Sequence, residues 1–315
     1  MSFSSNTKND IIEDLPAKEC CKKSLLMGIL TFSSIYNRDK IKVVTENRNV
    51  AEAVCKLLTD LYGVRYKYEI SEKSAKTEES GESEKNSSYK ITISDKREIA
   101  KLSELFSKDS ISLYRVNSAV FNPLCGKCVS VFMRGAFLAA GTVSKPESSF
   151  HLEISSSRKN LINDTMKLMT DNGLSPHITQ RNSNSVLYFK KCDDIVDFLG
   201  FIGASSASFS YLNESIIRES RSLANRAVNC DTANIKKTLS AASQTLTAIK
   251  FIIDADMLDK LPADLKNTAL LRYDNPHATL SELSELSEPK LTKSGINHRL
   301  KRLIEFAKNI GQEQK

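Results

Sequence analysis

Six basic side chains, Lys290, Lys293, Arg299, Lys301, Arg302 and Lys308, fall within residues 290–308 against a single acid, Glu305. Lysine and arginine neutralise phosphates, and asparagine and arginine also carry the donor and acceptor geometry that reads base edges. At about 3.6 residues per turn, Ser294, His298, Lys301 and Arg302 lie opposite an apolar face made of Ile296, Leu300, Leu303 and Ile304. Lys293, Asn297 and Arg299 fall at the N-terminal end or flanks of that helix. A helix whose rear packs on two others, with its front and first turn free, can enter a major groove. The segment therefore nominates Thr279, Lys290, Thr292, Lys293, Ser294, Asn297, His298, Arg299, Lys301 and Arg302 as contacts to duplex DNA. The plainer alternative is a solvated basic helix in a helical oligomerisation module.

A second group of reactive residues is the thiols. Seven cysteines, an odd number in a chain whose polar N-terminus lacks a secretory signal, argue for reduced sulfur. Cys125-Gly-Lys-Cys128 is a C-x-x-C, and with Cys20 and Cys21 it could make a four-thiolate zinc site. With no second C-x-x-C, the expectation is inert thiols and no metal. The four histidines, His151, His177, His277 and His298, are too dispersed to suggest a metal cluster.

The basic helix needs supports, and the sequence predicts them. Three helices are expected at about 263–273, 279–287 and 293–308. Asn275-Pro276 separates the first two, and Thr279 with Glu282 has capping-box spacing. Leu280, Leu283 and Leu286 form the second helix's apolar stripe, while Glu282, Glu285 and Glu288 turn its outer face acidic, which suits a supporting helix. Thr292 caps the third. Upstream, 205–253 reads as mostly helical, with a linker helix over 211–225 and a fresh N-cap at Asp231 or Thr232. The polar cluster Asn225, Arg226, Asn229, Asn234, Lys236 and Lys237 is either a solvated face or a supplementary phosphate-contacting surface.

The first two-thirds contain a faint repeat. "CKKSLLMGILTFSSIY" from Cys21 and "CVSVFMRGAFLAAGTV" from Cys128 each place a cysteine seven residues before a glycine, Gly28 and Gly135. Strand–helix–strand patterns follow at 41–70 and 150–179, with Lys56-Leu-Leu-Thr-Asp60 matching Lys167-Leu-Met-Thr-Asp171 and a glycine closing each helix. Further strands at 89–94 and 186–191 and helices at 96–107 and 193–204 complete two αββαββα units. The expected fold is an α+β domain over residues 20–210, with repeats at about 20–107 and 127–204, preceded by a flexible 1–19 and followed by an all-α domain over 226–315. The Ser-, Glu- and Lys-rich stretch 71–88 reads as a solvated hairpin loop.

This repeat order resembles the LAGLIDADG homing-endonuclease fold. The resemblance implies that the two glycine-bearing helices pack together and that an acid near the end of each holds catalytic metal. In "LMGILTFSS" (26–34) and "MRGAFLAAG" (133–141) those places hold Ser33 and Ala140, which cannot supply carboxylate oxygens to hard cations. No catalytic residue is expected, and an active homing endonuclease is the least favoured reading. A degenerate domain of this kind followed by a helix-turn-helix resembles the WhiA family of bacterial sporulation and cell-division regulators. "FMRGAFLAAGTVSKPESSFHLEI" (132–154), "RAVNCDTANIKKT" (226–238), "LDKLP" (258–262) and "LTKSGINHRLKRL" (291–303) carry that resemblance.

The resemblance implies a non-enzymatic, sequence-specific regulator of transcription without cofactor. Its partners would be promoter DNA and another transcription factor or RNA polymerase. The iron–sulfur partner of the actinobacterial members is not carried over, because lysine outnumbers arginine here and hints at an AT-rich genome. A protein-interaction scaffold with weak, sequence-blind DNA affinity is the alternative.

Composition is compatible with all of this. The chain has 315 residues, 40% hydrophobic and 26% charged, with a net charge of +7. No apolar run approaches the ~18 residues of a membrane span, so a cytoplasmic, nucleoid-associated protein is expected. The internal repeat removes any symmetry reason to require a second chain, and oligomeric state stays open.

Overall fold

The computed structural model describes residues 2–37, 39–73, 86–102, 116 and 121–313. The chain divides into two units, Met1–Arg218 and Glu219–Lys315. The first holds α1 (Phe3–Glu13), α2 (Glu19–Thr31), β1 (Ile35–Tyr36), β2 (Ile41–Thr45), α3 (Arg48–Tyr62), β3 (Lys67–Lys73), β4 (Asn86–Ile93) and α4 (Lys96–Lys101). The second repeat follows as α5 (Cys128–Ala140), β5 (Gly141–Val143), β6 (Leu152–Ser156), α6 (Lys159–Asp171), β7 (His177–Arg181), β8 (Asn184–Phe189) and α7 (Cys192–Ile202). A long helix, α8 (Ser205–Asp254), begins in the first unit and ends in the second. The second unit adds a 3-10 turn at Leu258–Lys260, then α9 (Ala263–Asp274), α10 (Leu280–Leu286) and α11 (Lys293–Glu313).

Each repeat forms a four-stranded antiparallel sheet of the same topology, β1-β2-β4-β3 and β5-β6-β8-β7. The register follows from alternation. Val43 pairs with Ile91 and Ile154 with Leu187, and these side chains are buried on the helix-covered face. Slipping either pairing by one residue would turn the apolar set to water. Asn47 caps α3 by accepting the Val50 N–H at 3.1 Å. Gly63 closes the helix with φ +55°, a left-handed conformation that suits glycine.

The two repeats meet along α2 and α5. A methyl added at Gly28 would lie 2.2 Å from the Phe132 carbonyl oxygen, and one at Gly135 would lie 2.3 Å from that of Leu25. The helices therefore touch backbone to backbone, which only glycine at the crossing allows. Leu25, Leu26, Ile29 and Leu30 on one side and Phe132, Ala136 and Phe137 on the other are fully buried around that crossing.

Three expectations are corrected. Residues 1–19 are not a flexible lead: α1 is capped by Ser2 and buries Ile11 and Ile12. Its Asn9 accepts from Asn47 Nδ2 at 2.8 Å, and its Ser4 hydroxyl accepts from the Val143 N–H at 3.3 Å, so it ties to both repeats. Residues 211–225 are helical and span the boundary between the units, as expected of a linker helix, but the fresh N-cap at Asp231 or Thr232 is absent, because α8 runs through both positions without interruption. The hairpin strands β3 and β4 extend further than sequence suggested, to Lys73 and from Asn86. What remains of the 71–88 loop, residues 74–85, and the end of the 96–107 helix, residues 103–107, lie outside the described residues. Among the described residues, no helix is long and apolar enough to cross a membrane.

Candidate nucleic-acid interface

The core of the second unit combines the end of α8 (Ala248, Ile249, Ile252), α9 (Leu265, Ala269), Leu283 of α10 and one face of α11. On α11 that face is Ile296, Leu300, Leu303, Ala307 and Ile310, with Ile304 half-buried at its edge. Each fully buried Leu or Ile contributes about 1.5–3 kcal/mol, so the rotation of α11 about its axis is fixed. That rotation decides what faces water. Lys293, Ser294, Asn297, His298, Lys301 and Arg302 are all exposed and follow one another at helical spacing. Lys290 is exposed just ahead of them.

Three predicted contacts have other duties. Arg299 belongs to the buried side: it lies on the same face as Ile296 and Leu303, and its side chain is only 23% exposed. Its Nη1 donates to the Asp264 carbonyl at 3.3 Å and to Thr268 Oγ1 at 3.5 Å. Its Nε also lies 3.7 Å from the Asp264 carboxylate, so Arg299 braces α11 against α9. The Thr292 hydroxyl accepts the Gly295 N–H at 3.2 Å as the α11 cap. Thr279 completes a capping box: its hydroxyl accepts the Glu282 N–H at 3.3 Å and its own N–H donates to Glu282 Oε2 at 2.7 Å. That N–H bond holds the Glu282 carboxyl below the usual range. Arg302 stays accessible despite a 3.9 Å approach to Asp264.

The expected leucine stripe on α10 reduces to Leu283, because Leu280 and Leu286 are 36% and 53% exposed on so short a helix. Hydrogen bonds that sequence reasoning missed set the turn into α11. The Ser284 hydroxyl donates to the Leu291 carbonyl, and the Ser287 hydroxyl accepts the Leu291 N–H at 2.9 Å. Buried Arg272 donates to the Ala278 carbonyl ahead of α10, and burial lowers its pKa. The closely spaced Ser284, Ser287 and Pro289 were the available signal for the turn; Arg272 gave none.

The supplementary cluster behaves differently. Asn225, Arg226, Asn229, Asn234, Lys236 and Lys237 are exposed, but so is every residue of α8 from 219 to 241. At about 100° per residue, Asn225, Asn229 and Lys236 share one face, Arg226 and Lys237 flank it, and Asn234 points away.

In the first unit, Ser33 and Ala140 stand at the C-terminal end of the α2–α5 pair. Ser33 is buried and donates its hydroxyl to the Ile35 carbonyl at 3.1 Å. Arg158 Nη2 donates to the Ser33 carbonyl at 3.0 Å, which sets a fixed positive charge where divalent cations would be required. Among the described residues, no group of three or more His, Cys, Asp or Glu side chains gathers there. Such a group does form elsewhere, at Cys20, Cys21, Cys125 and Cys128. These are the four cysteines that the sequence offered as a possible four-thiolate set. Burial pushes the Cys21 thiol up to about 12, while the Lys127 N–H, followed by the Cys128 and Cys21 thiols, draws Cys125 down to about 6.

Two αββαββα repeats joined through a glycine crossing, followed by a helical unit that presents one polar helix face, define a LAGLIDADG-like domain fused to a helix-turn-helix domain. Family models match this order along the chain: the WhiA N-terminal LAGLIDADG-like domain at residues 19–106, the WhiA LAGLIDADG-like domain at 129–221 and the WhiA C-terminal HTH domain at 224–307. The chain belongs to the WhiA family. It is similar to a probable cell division protein WhiA of Ruminiclostridium cellulolyticum, with 34% identity over 321 residues covering 98% of each chain. A namesake from Bacillus mycoides is 35% identical over 317 residues, covering 98% of this chain and 97% of its own. The crystal structure of full-length DUF199/WhiA from Thermatoga maritima has the same fold, with a TM-score of 0.58, 24% identity, and coverage of 98% of this chain and 99% of that one.

Proposed function

We propose that the protein is a non-enzymatic, sequence-specific DNA-binding regulator of transcription that reads duplex DNA with the N-terminal half of α11. The exposed stripe Lys293, Ser294, Asn297, His298, Lys301 and Arg302, opposite a fully packed apolar face, carries this reading. Lys293, Lys301 and Arg302 supply phosphate neutralisation, and Asn297 and Arg302 supply base-edge hydrogen bonds. The Lys293 and Ser294 N–H groups that open α11 lack intrahelical acceptors and suit a phosphate oxygen. The shared name of its relatives points to promoters of cell-division genes, and the family resemblance adds sporulation. The protein then works on the nucleoid, with RNA polymerase or another transcription factor as its protein partner. The first unit acts as scaffold or second DNA surface and does not cleave. Ser33 and Ala140 replace the acids, and Arg158 opposes metal binding.

The test is duplex binding across a salt series. Lys301→Ala and Arg302→Ala should each weaken binding and lower the salt slope by about one for each phosphate left without its cation. If both variants, folded by circular dichroism, bind with unchanged affinity and slope, the reader assignment is wrong. Sequence-blind binding by the native protein would instead favour the scaffold reading. Reproducible cuts in genomic DNA with Mg²⁺ or Mn²⁺ would overturn the absence of nuclease activity.

A further inference from the structure

The four clustered thiols sit at the end of the α2–α5 pair opposite Ser33 and Ala140. Cys20 and Cys21 fall in the first turn of α2, and Cys128 opens α5. Cys21 and Cys128 each precede a crossing glycine by seven residues, a rise of about 10.5 Å. Helices that touch at a crossing splay apart with distance from it, and the sulfurs occupy that splayed end. Cys125 comes from the turn leading into α5, which is held by the Cys125 N–H to the Asn122 carbonyl at 3.0 Å and the Cys128 N–H to the Cys125 carbonyl at 3.2 Å.

All four sulfurs lie within 4.8 Å of one another, and Cys21 Sγ is 3.5 Å from Cys125 Sγ. A tetrahedral zinc with Zn–S near 2.3 Å sets its ligands about 3.8 Å apart, so small side-chain adjustments close the shell. The spacing is too tight for a four-iron cluster, whose thiolates stand further apart. A single disulfide would use two sulfurs and leave two crowded thiols. The surroundings favour the doubly negative charge of a zinc tetrathiolate. Lys18, Lys22, Lys23 and Lys127 lie within two residues of a ligand in sequence, against the single acid Glu19. Two helix N-termini add partial positive charge.

We propose that Cys20, Cys21, Cys125 and Cys128 bind one structural zinc ion that ties the first repeat to the second. Four thiolates fill the coordination shell and leave no open position, so the ion holds the two motif helices together and performs no catalysis. Each repeat contributes one helical thiol at an equivalent position, Cys21 or Cys128, and a neighbour completes each pair. The site does not depend on how α11 meets DNA.

The experiment measures zinc in the full-length protein purified under reducing conditions, then after incubation with zinc and removal of excess by a chelator. The expected result is about one zinc per chain, with four of the seven thiols protected from a thiol reagent until a mercurial releases the metal. Replacing the ion with cobalt should give the strong visible absorption of tetrahedral thiolate coordination. Cys125→Ser/Cys128→Ser should lose the metal and melt at lower temperature, whereas Cys55→Ser, outside the cluster, should retain it. If the double variant fails to fold, the metal content and thiol protection of the native protein still decide. A native protein without stoichiometric zinc and with all seven thiols reactive would overturn the proposal. So would a Cys21–Cys125 disulfide in its place, or stoichiometric binding of a different metal.

Discussion

Helices α5 and α11 both pack through apolar residues, and they make opposite use of their remaining surface. α5 crosses α2 with glycine against glycine, surrounds the crossing with fully buried side chains, and ends at Ala140, where a nuclease would need an acid. α11 packs through one face only, Ile296, Leu300, Leu303, Ala307 and Ile310, and leaves a continuous row of amide, hydroxyl and cationic groups in water. The crossing that fixes the first unit's geometry leaves α5 little surface with which to act. The one-sided packing of α11 fixes an equally definite orientation and leaves the other side free to meet a ligand. In this family member, the front helices hold the scaffold and the last helix carries the proposed recognition.

The largest effect should come from filling the crossing. Gly135→Ala drives a methyl against the Leu25 carbonyl, a backbone atom that cannot rotate away, and should cost upwards of about 4 kcal/mol in urea unfolding. Gly200→Ala, in open space on α7, should be neutral or stabilising by up to about 1 kcal/mol. Equal effects at the two sites would show that the crossing is not close. Next, Leu300→Ala opens a cavity behind the α11 stripe and should destabilise the second unit by about 3 kcal/mol. A calorimetric trace should show only the second unit's transition moving.

Smaller effects separate side chains that are neighbours in sequence. Arg299→Ala removes the brace to Asp264 and Thr268, so it should lower stability by about 1 kcal/mol and leave the salt slope of duplex binding unchanged. Lys301→Ala should do the reverse, keeping stability within about 0.5 kcal/mol and weakening binding on the order of fivefold at physiological salt. Smallest of all, Lys236→Ala on α8 should change duplex affinity less than Lys301→Ala does, because every residue of α8 from 219 to 241 is exposed, with no buried face among them to fix one orientation. A larger loss at Lys236 than at Lys301 would move the main DNA surface from α11 to α8.

Much of this could be read from the sequence because the relevant signals are periodic. The apolar spacing of Ile296, Leu300 and Leu303 determined which face of α11 is outward, and the paired glycines with their matching strand–helix patterns exposed the repeat. Signals that depend on tertiary packing were hidden. α1 has too few apolar residues to mark it as ordered, and it is held by Asn47 and Val143, distant in the chain. Both Arg299 and Arg302 approach Asp264 of α9, but only Arg299 is half-buried there and hydrogen-bonded to the Asp264 carbonyl and Thr268, a distinction of less than one helical turn that charge counting misses. Asp231 and Thr232 have the chemistry of a cap, yet the helix passes through them. The four cysteines could be named from sequence as a possible set, but not that they meet, because residues more than a hundred positions apart come together at the splayed end of one helix pair.

Sequence selection by α11 is a stronger property than polyanion binding, and Asn297 separates the two. The decisive assay is a competition between a duplex the native protein selects from genomic DNA and a scrambled duplex of equal length. The native protein is compared with Asn297→Ala at fixed salt. Asn297→Ala should lower the preference for the selected duplex about tenfold and leave scrambled-duplex affinity nearly unchanged. An unaltered preference in the folded variant would contradict the assignment of Asn297 as a base-reading residue of α11.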